Sequence, residues 1–85
     1  MAQFVVSVEV VPRRGLLDPQ GKAVSDALHA LGFGSVSRVA IGRHLVIDVD
    51  AASDAEARAA VQRMCEQLLA NPVTEDFHIS AVSPA

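Results

Sequence analysis

Val36-Ser37-Arg38-Val39-Ala40-Ile41-Gly42-Arg43-His44-Leu45-Val46-Ile47-Asp48-Val49-Asp50 lies at the middle of the chain, and its reading decides the fold. His44 to Asp50 alternates. Leu45, Ile47 and Val49 fall on one face and Asp48 and Asp50 on the other, the period of a strand with one buried side. Val36 to Ile41 reads as a preceding strand, and Gly42-Arg43 suits a two-residue hairpin turn with glycine in its first position.

Outward from this centre, each flank carries one helix and one strand. Upstream, Phe4 to Val11 alternates, with Phe4, Val6, Val8 and Val10 on one face and Ser7 and Glu9 on the other. Pro12-Arg13-Arg14-Gly15 interrupts it. Asp18 can cap the following helix, and Pro19 suits the first turn, where its missing N–H has no helical partner to lose. Val24, Ala27, Leu28 and Leu31 recur at helical spacing, and Gly32 accepts the left-handed conformation that ends a helix. Downstream, Ser53 and Glu56 form a capping box. Ala57, Ala60, Val61, Met64, Cys65 and Leu68 give the apolar stripe of a second helix, which Asn71-Pro72 ends. Phe77, Ile79 and Ala81 then read as a short last strand, and Ser83-Pro84-Ala85 as a loose end.

The order strand, helix, strand, strand, helix, strand, with right-handed crossovers, places both helices on one side of an antiparallel sheet. This is an α+β, ferredoxin-like β-α-β-β-α-β arrangement, with residues 1–85 as a single domain. Its other sheet face carries Val5, Val11, Val46 and Val82 among Ser7, Glu9, Asp48, His78 and Ser80. That is too apolar for an indifferent solvent face, so this face or a strand edge beside it is expected to be covered by another copy of the chain.

Composition narrows the function. The 85 residues are 51% hydrophobic and 20% charged, with net charge −3 and only 4% aromatics. No basic face or aromatic platform serves nucleic acid, and no apolar run is long enough to span a bilayer. No basic-then-apolar signal layout opens the chain, so a cytoplasmic location is expected. The single cysteine, Cys65, sits within the second apolar stripe without an activating partner, which reads as core packing and not a catalytic thiol. His29, His44 and His78 fall on three elements without metal-ligand spacing. Arg13-Arg14-Gly15 could hold a phosphate in an acylphosphatase-like loop, but the Asp18-Pro19 helix start puts a carboxylate where an anion would bind. Catalytic, cofactor and metal residues are therefore expected to be absent.

A few residues exceed what secondary structure requires. Gly21, inside a first helical turn, costs up to about 1 kcal/mol relative to alanine, and a close approach of another backbone would explain it. Leu17-Asp18-Pro19-Gln20-Gly21, Ala27-Leu28 with Leu31-Gly32-Phe33, Val39 with Gly42-Arg43, and Met64-Cys65 with Leu68-Leu69-Ala70-Asn71-Pro72 resemble, in order and spacing, the PurS family. Glu75 and Phe77 continue the pattern. Arg43 stands where a lysine is common, with His44 after it.

PurS chains are the small subunit of multi-subunit formylglycinamidine ribonucleotide (FGAM) synthase. The resemblance implies a non-catalytic homodimer or homotetramer that bridges a synthetase subunit and a glutaminase subunit. ATP, magnesium and glutamine would be used by the complex and none bound by this chain. It also implies that Asp18, Gln20, Gly21, Arg43, Asn71 and Glu75 contact partners, so that Arg43→Ala leaves the domain folded and weakens assembly. The alternatives are a small-ligand regulatory ferredoxin-like module and a stand-alone acyl-phosphate hydrolase.

Overall fold

A computed structural model describes residues 2–15 and 18–85; Leu17, which opens one of the quoted segments, lies outside them. Three strands, β1 (Ala2–Pro12), β2 (Arg43–Ala51) and β3 (Glu75–Pro84), form an antiparallel sheet in the order β2-β1-β3. Two helices, α1 (Pro19–Ala30) and α2 (Asp54–Met64), complete the described elements, and α2 runs on into a π-helical turn over Cys65–Leu69.

The alternation of β1 builds the core. Val6, Val8 and Val10 are fully buried and Phe4 nearly so. Their cross-strand neighbours lie on the same face: Val49, Ile47 and Leu45 on β2 oppose Phe4, Val6 and Val8, while Val82, Ile79 and Phe77 on β3 oppose Val6, Val8 and Val10. α2 lays Ala57, Val61 and Cys65, one turn apart on its axis, onto this face, and all three are fully buried.

Ser53 caps α2 as read, its Oγ accepting the Glu56 N–H at 3.2 Å. Glu56 reaches one residue further back than a capping box requires, to the Ala52 N–H at 3.3 Å. Ser53→Ala is expected to cost about 1 kcal/mol, read as a fall of roughly 4–8 °C in Tm. An unchanged melting curve would remove the cap from the stability of α2.

Three local readings are corrected. The Val36–Ile41 strand and the Gly42-Arg43 hairpin turn do not form; residues 36–42 lie outside the sheet and Arg43 already opens β2. Their polar groups are engaged elsewhere: the Ile41 N–H donates to Asp18 Oδ2 at 3.0 Å, and the Val36 carbonyl lies 2.6 Å from His29 Nε2. The end of the chain is paired and not loose, with Pro84 opposite Phe4 and the Ala85 N–H donating to the Gln3 carbonyl at 2.9 Å. β3 also carries a bulge where its register slips between Ser7 and Val8. One extra residue reverses the alternation beyond it, so Val82 points to the core and Ala81 to the open face. The α+β class and the antiparallel sheet stand as read.

The π turn has a similar effect at the end of α2. The Ala70 N–H donates to the Cys65 carbonyl at 3.1 Å, five residues back, and the additional residue turns Leu68 outward. Leu69 and Ala70 pack inward in its place.

α1 is the largest departure from the expected layering. Asp18 caps it, and a Schellman motif closes it: the Phe33 N–H donates to Leu28, the Gly32 N–H donates to His29, and Gly32 sits at φ +98°. Yet α1 makes no substantial contact with any strand, and Gly21 is its only buried residue. Residues 18–42 form a helix-and-return arm, held by Asp18 to Ile41 and by His29 to Val36. The molecule is elongated, 52 × 25 × 14 Å. Val24 and Leu31, expected in the core, face solvent in the single chain.

Candidate functional site

The base of the arm, the first residues of β2 and the first residues of β3 meet at one end of the sheet. An open cleft of about 530 Å³ lies there, lined by Pro12, Asp18, Pro19, Gln20, Ile41, Arg43, Thr74 and Glu75. Four of the six expected contact residues thus line one surface. The other two lie directly behind it: Gly21 is buried beneath Asp18, and the Asn71 backbone binds Glu75.

Asp18 holds the arm together at its base. Oδ1 accepts the Gly21 N–H at 3.0 Å and caps α1, while Oδ2 accepts the Ile41 N–H at 3.0 Å from the returning segment. The Gly21 and Ile41 N–H groups hold this carboxyl below its ordinary range, because both bonds favour the charged form. Gly21 has a spatial reason as well. A Cβ there would run into the Val39 carbonyl oxygen and the Asp18 carboxylate. The costly glycine does mark a close backbone approach, and the backbone is that of Val39.

Arg43 and Glu75 form the second tie. The guanidinium donates from Nη1 to Glu75 Oε2 at 2.9 Å and from Nη2 to Oε1 at 3.0 Å, a bidentate pair. Arg43 Nη2 also donates to the Leu69 carbonyl at 2.8 Å, in the π turn. Glu75 Oε1 accepts the Asn71 N–H at 2.8 Å, and the Glu75 N–H returns a bond to the Asn71 carbonyl at 2.8 Å. The Asn71 side chain accepts the Val73 N–H at 2.9 Å and shapes the turn between helix and strand. β2, the end of α2 and β3 are therefore clasped at one point. Arg43 first, then the Asn71 N–H, hold the Glu75 carboxyl below its ordinary range.

Arg13 makes a parallel set of contacts, donating from Nε to Asp76 at 3.1 Å and from Nη2 to the Pro72 carbonyl at 2.7 Å. In the sequence Arg13 stood only as part of a loop that could hold a phosphate. Nothing in its local context pointed to Asp76, 63 residues away.

Apart from Gln20, the identities that seemed to exceed the fold's needs are thus used within the tertiary structure. Chemically, the cleft offers charge that is already paired. Among the described residues, no group of three or more His, Cys, Asp or Glu side chains could hold a metal ion. Cys65 is buried, and burial pushes its thiol upward, away from the reactive thiolate. No helix of the described residues is long and apolar enough to cross a membrane.

The family model described as PurS, phosphoribosylformylglycinamidine (FGAM) synthase, matches residues 5–83. The phosphoribosylformylglycinamidine synthase subunit PurS of Bacillus subtilis is 40% identical over 74 residues, 87% of each chain. A PurS structure from Thermus thermophilus superposes with a TM-score of 0.82 at 34% identity, covering 95% of each chain. A chain from the structure of PurLQS of Thermotoga maritima superposes with a TM-score of 0.83 at 27% identity over 100% of both.

Proposed function

Because the chain belongs to the PurS family of phosphoribosylformylglycinamidine (FGAM) synthase, we propose that its part in purine biosynthesis is to join subunits and not to form bonds. It bridges the glutaminase and synthetase subunits that together convert formylglycinamide ribonucleotide to formylglycinamidine ribonucleotide. ATP, magnesium and glutamine are bound by those larger subunits, in the cytoplasm. The observation that carries this reading is the full-length superposition on a chain of the PurLQS structure from Thermotoga maritima.

The chemistry of the reaction gives a bridging subunit something to do. Ammonia released from glutamine is mostly protonated in neutral water and then has no lone pair to attack with. It must reach the activated amide before water protonates it. A rigid spacer that fixes two active sites in register supplies proximity and excludes solvent without a catalytic group of its own.

The clasped end of the sheet is suited to this. Asp18, Gln20, Gly21, Arg43, Asn71 and Glu75 make up the proposed contact surface, and four of them line the cleft. Asp18, Arg43 and Glu75 hold its shape, Gly21 and Asn71 set the backbone behind it, and Gln20 presents an exposed amide. Self-association into a dimer or tetramer would double each contact and hold the large subunits in a defined stoichiometry.

Reconstitution tests the proposal. The purified chain alone should neither hydrolyse glutamine nor consume ATP. Added to the synthetase and glutaminase subunits from the same source, it should raise glutamine-dependent FGAM formation from background to sustained turnover. Equal turnover with and without the chain would refute the bridging role, as would turnover by the chain alone.

A further inference from the structure

The charges that line the cleft at the clasped end of the sheet are already engaged within the chain. Asp18 accepts the Gly21 N–H at Oδ1 and the Ile41 N–H at Oδ2. Glu75 accepts Arg43 at both carboxylate oxygens, and the Asn71 N–H as well at Oε1. Arg43 closes its fork on Glu75 and reaches the Leu69 carbonyl. An ion arriving from outside would have to displace one of these bonds, and exchanging one exposed pair for another gains little.

The main chain of the lining is engaged too. Pro12 and Pro19 have no N–H to offer. The Ile41 N–H lies on Asp18, and the Thr74 and Glu75 N–H groups both turn to the Asn71 carbonyl, at 3.2 and 2.8 Å. The Thr74 carbonyl accepts the Arg13 N–H at 2.9 Å.

Two polar side chains of the lining are left over, Gln20 and Thr74. Both are exposed, and among the described residues neither side chain makes a hydrogen bond within the chain. They come from different elements, Gln20 from the first turn of α1 and Thr74 from the turn just ahead of β3. The amide and the hydroxyl each supply a donor and an acceptor and no charge. The apolar part of the lining is Pro12, Pro19 and Ile41. Neutral donors and acceptors beside apolar walls complement a peptide unit, which brings one N–H, one C=O and no charge.

We infer that Gln20 and Thr74 are the residues through which this cleft reads its partner, and that they read the uncharged main chain of an extended segment of a larger subunit. The inference rests on the bridging role proposed above and deepens it by naming the chemistry of the contact. Asp18, Arg43 and Glu75 shape the cleft; Gln20 and Thr74 supply its hydrogen bonds.

Titration of the full chain into the synthetase and glutaminase subunits tests it, read as the chain concentration that gives half-maximal glutamine-dependent FGAM formation. Gln20→Leu and Thr74→Val keep the size of each side chain and remove its polar atoms. Each should raise that concentration about tenfold, with the rate at saturation and the Tm of the chain unchanged. Thr74→Ser, which keeps the hydroxyl, should behave as the wild type. The fold-change should be the same at about 0.1 and 0.5 M salt, because a neutral hydrogen bond is not screened. An unchanged half-maximal concentration in both variants would overturn the inference and leave bridging standing. So would a fold-change that vanishes at high salt, which assigns the contact to charge, or a matching fall in Tm, which makes the two side chains structural. A rise in the Tm of the isolated chain with glutamine or ATP, lost in Gln20→Leu, would put a small molecule in the cleft and overturn it as well. A wild-type chain that stimulates turnover at no concentration would overturn bridging, and the inference with it.

Discussion

Gly42→Ala is expected to destabilise the domain by about 2–3 kcal/mol, lowering Tm by roughly 10–20 °C. Gly42 lies against the backbone of β1, and an added Cβ would meet the Val10 carbonyl oxygen and the Val11 side chain. β1 is the central strand, and Val10 is fully buried and paired on both sides, with Arg43 and with Phe77. Its carbonyl cannot retreat without disturbing both ladders. Gly32→Ala provides the contrast. Gly32 has open space around its Cα but sits at φ +98°. Its cost is conformational, about 1 kcal/mol. Chemical denaturation should therefore separate the two by at least a factor of two, and equal losses would refute the steric argument.

The contrast also marks what a sequence can disclose. Gly32 was legible as a helix stop because the reason is local. Gly42 was assigned to a hairpin turn, an equally plausible local reason, and the actual one is a strand that lies far back in the chain. β1, β2 and α2 were read correctly because their periodicities report a single buried face. The segment Val36–Ile41 has strand-forming residues but no ladder; its two ends are tied instead to side chains of the arm, the Ile41 N–H to Asp18 and the Val36 carbonyl to His29. Side-chain pattern carries no trace of that competition. The bulge in β3 and the π turn in α2 each add one residue to an otherwise regular repeat, and Ser80 and Leu68 look ordinary in sequence. Both shifts change which side chains are buried: Val82 for Ala81, and Leu69 with Ala70 for Leu68.

For the candidate site, the residues were legible and their connections were not. Gly21 stood out as a helix-interior cost without a visible return, and the return is the passage of Val39. Arg43, Asn71 and Glu75 stood out through a family resemblance alone. Arg43 and Glu75 are 32 residues apart, and no spacing rule joins a strand's first residue to another strand's first residue across an intervening helix. The arm was the least legible element. A helix with an apolar stripe is the same pattern whether it packs on its own sheet or projects away from it.

Arg43→Ala should lower stability by about 1–2 kcal/mol, because it removes a bidentate pair and leaves the Leu69 carbonyl without that donor. The figure is held down by the exposure of Arg43, which is 52% accessible, since water screens the charge. Glu75→Ala removes the same pair and also frees the Asn71 N–H. The double variant should therefore cost less than the two singles added, with a coupling of roughly 0.5–1 kcal/mol.

Acid provides an independent check on the same clasp. The Glu75 carboxyl is held down in the folded chain, first by Arg43 and then by the Asn71 N–H, so the unfolded chain binds its proton more readily. The stabilisation is complete above the unfolded carboxyl's value, about 4.3, and is lost as pH falls through the lower folded one. Asp18 adds a loss of the same sign, through the bonds from Gly21 and Ile41. The denaturation midpoint should drop on acidification through this window, and Glu75→Gln should flatten part of the drop. Arg43→Ala should flatten it less, because the Asn71 N–H still favours the carboxylate. Assembly of the three-subunit mixture must be read against these stabilities. Loss of assembly at temperatures where Arg43→Ala remains folded would make the guanidinium a contact as well as a clasp. Assembly restored by Arg43→Lys without recovery of stability would show that the partner reads the charge, while the fold requires the planar fork.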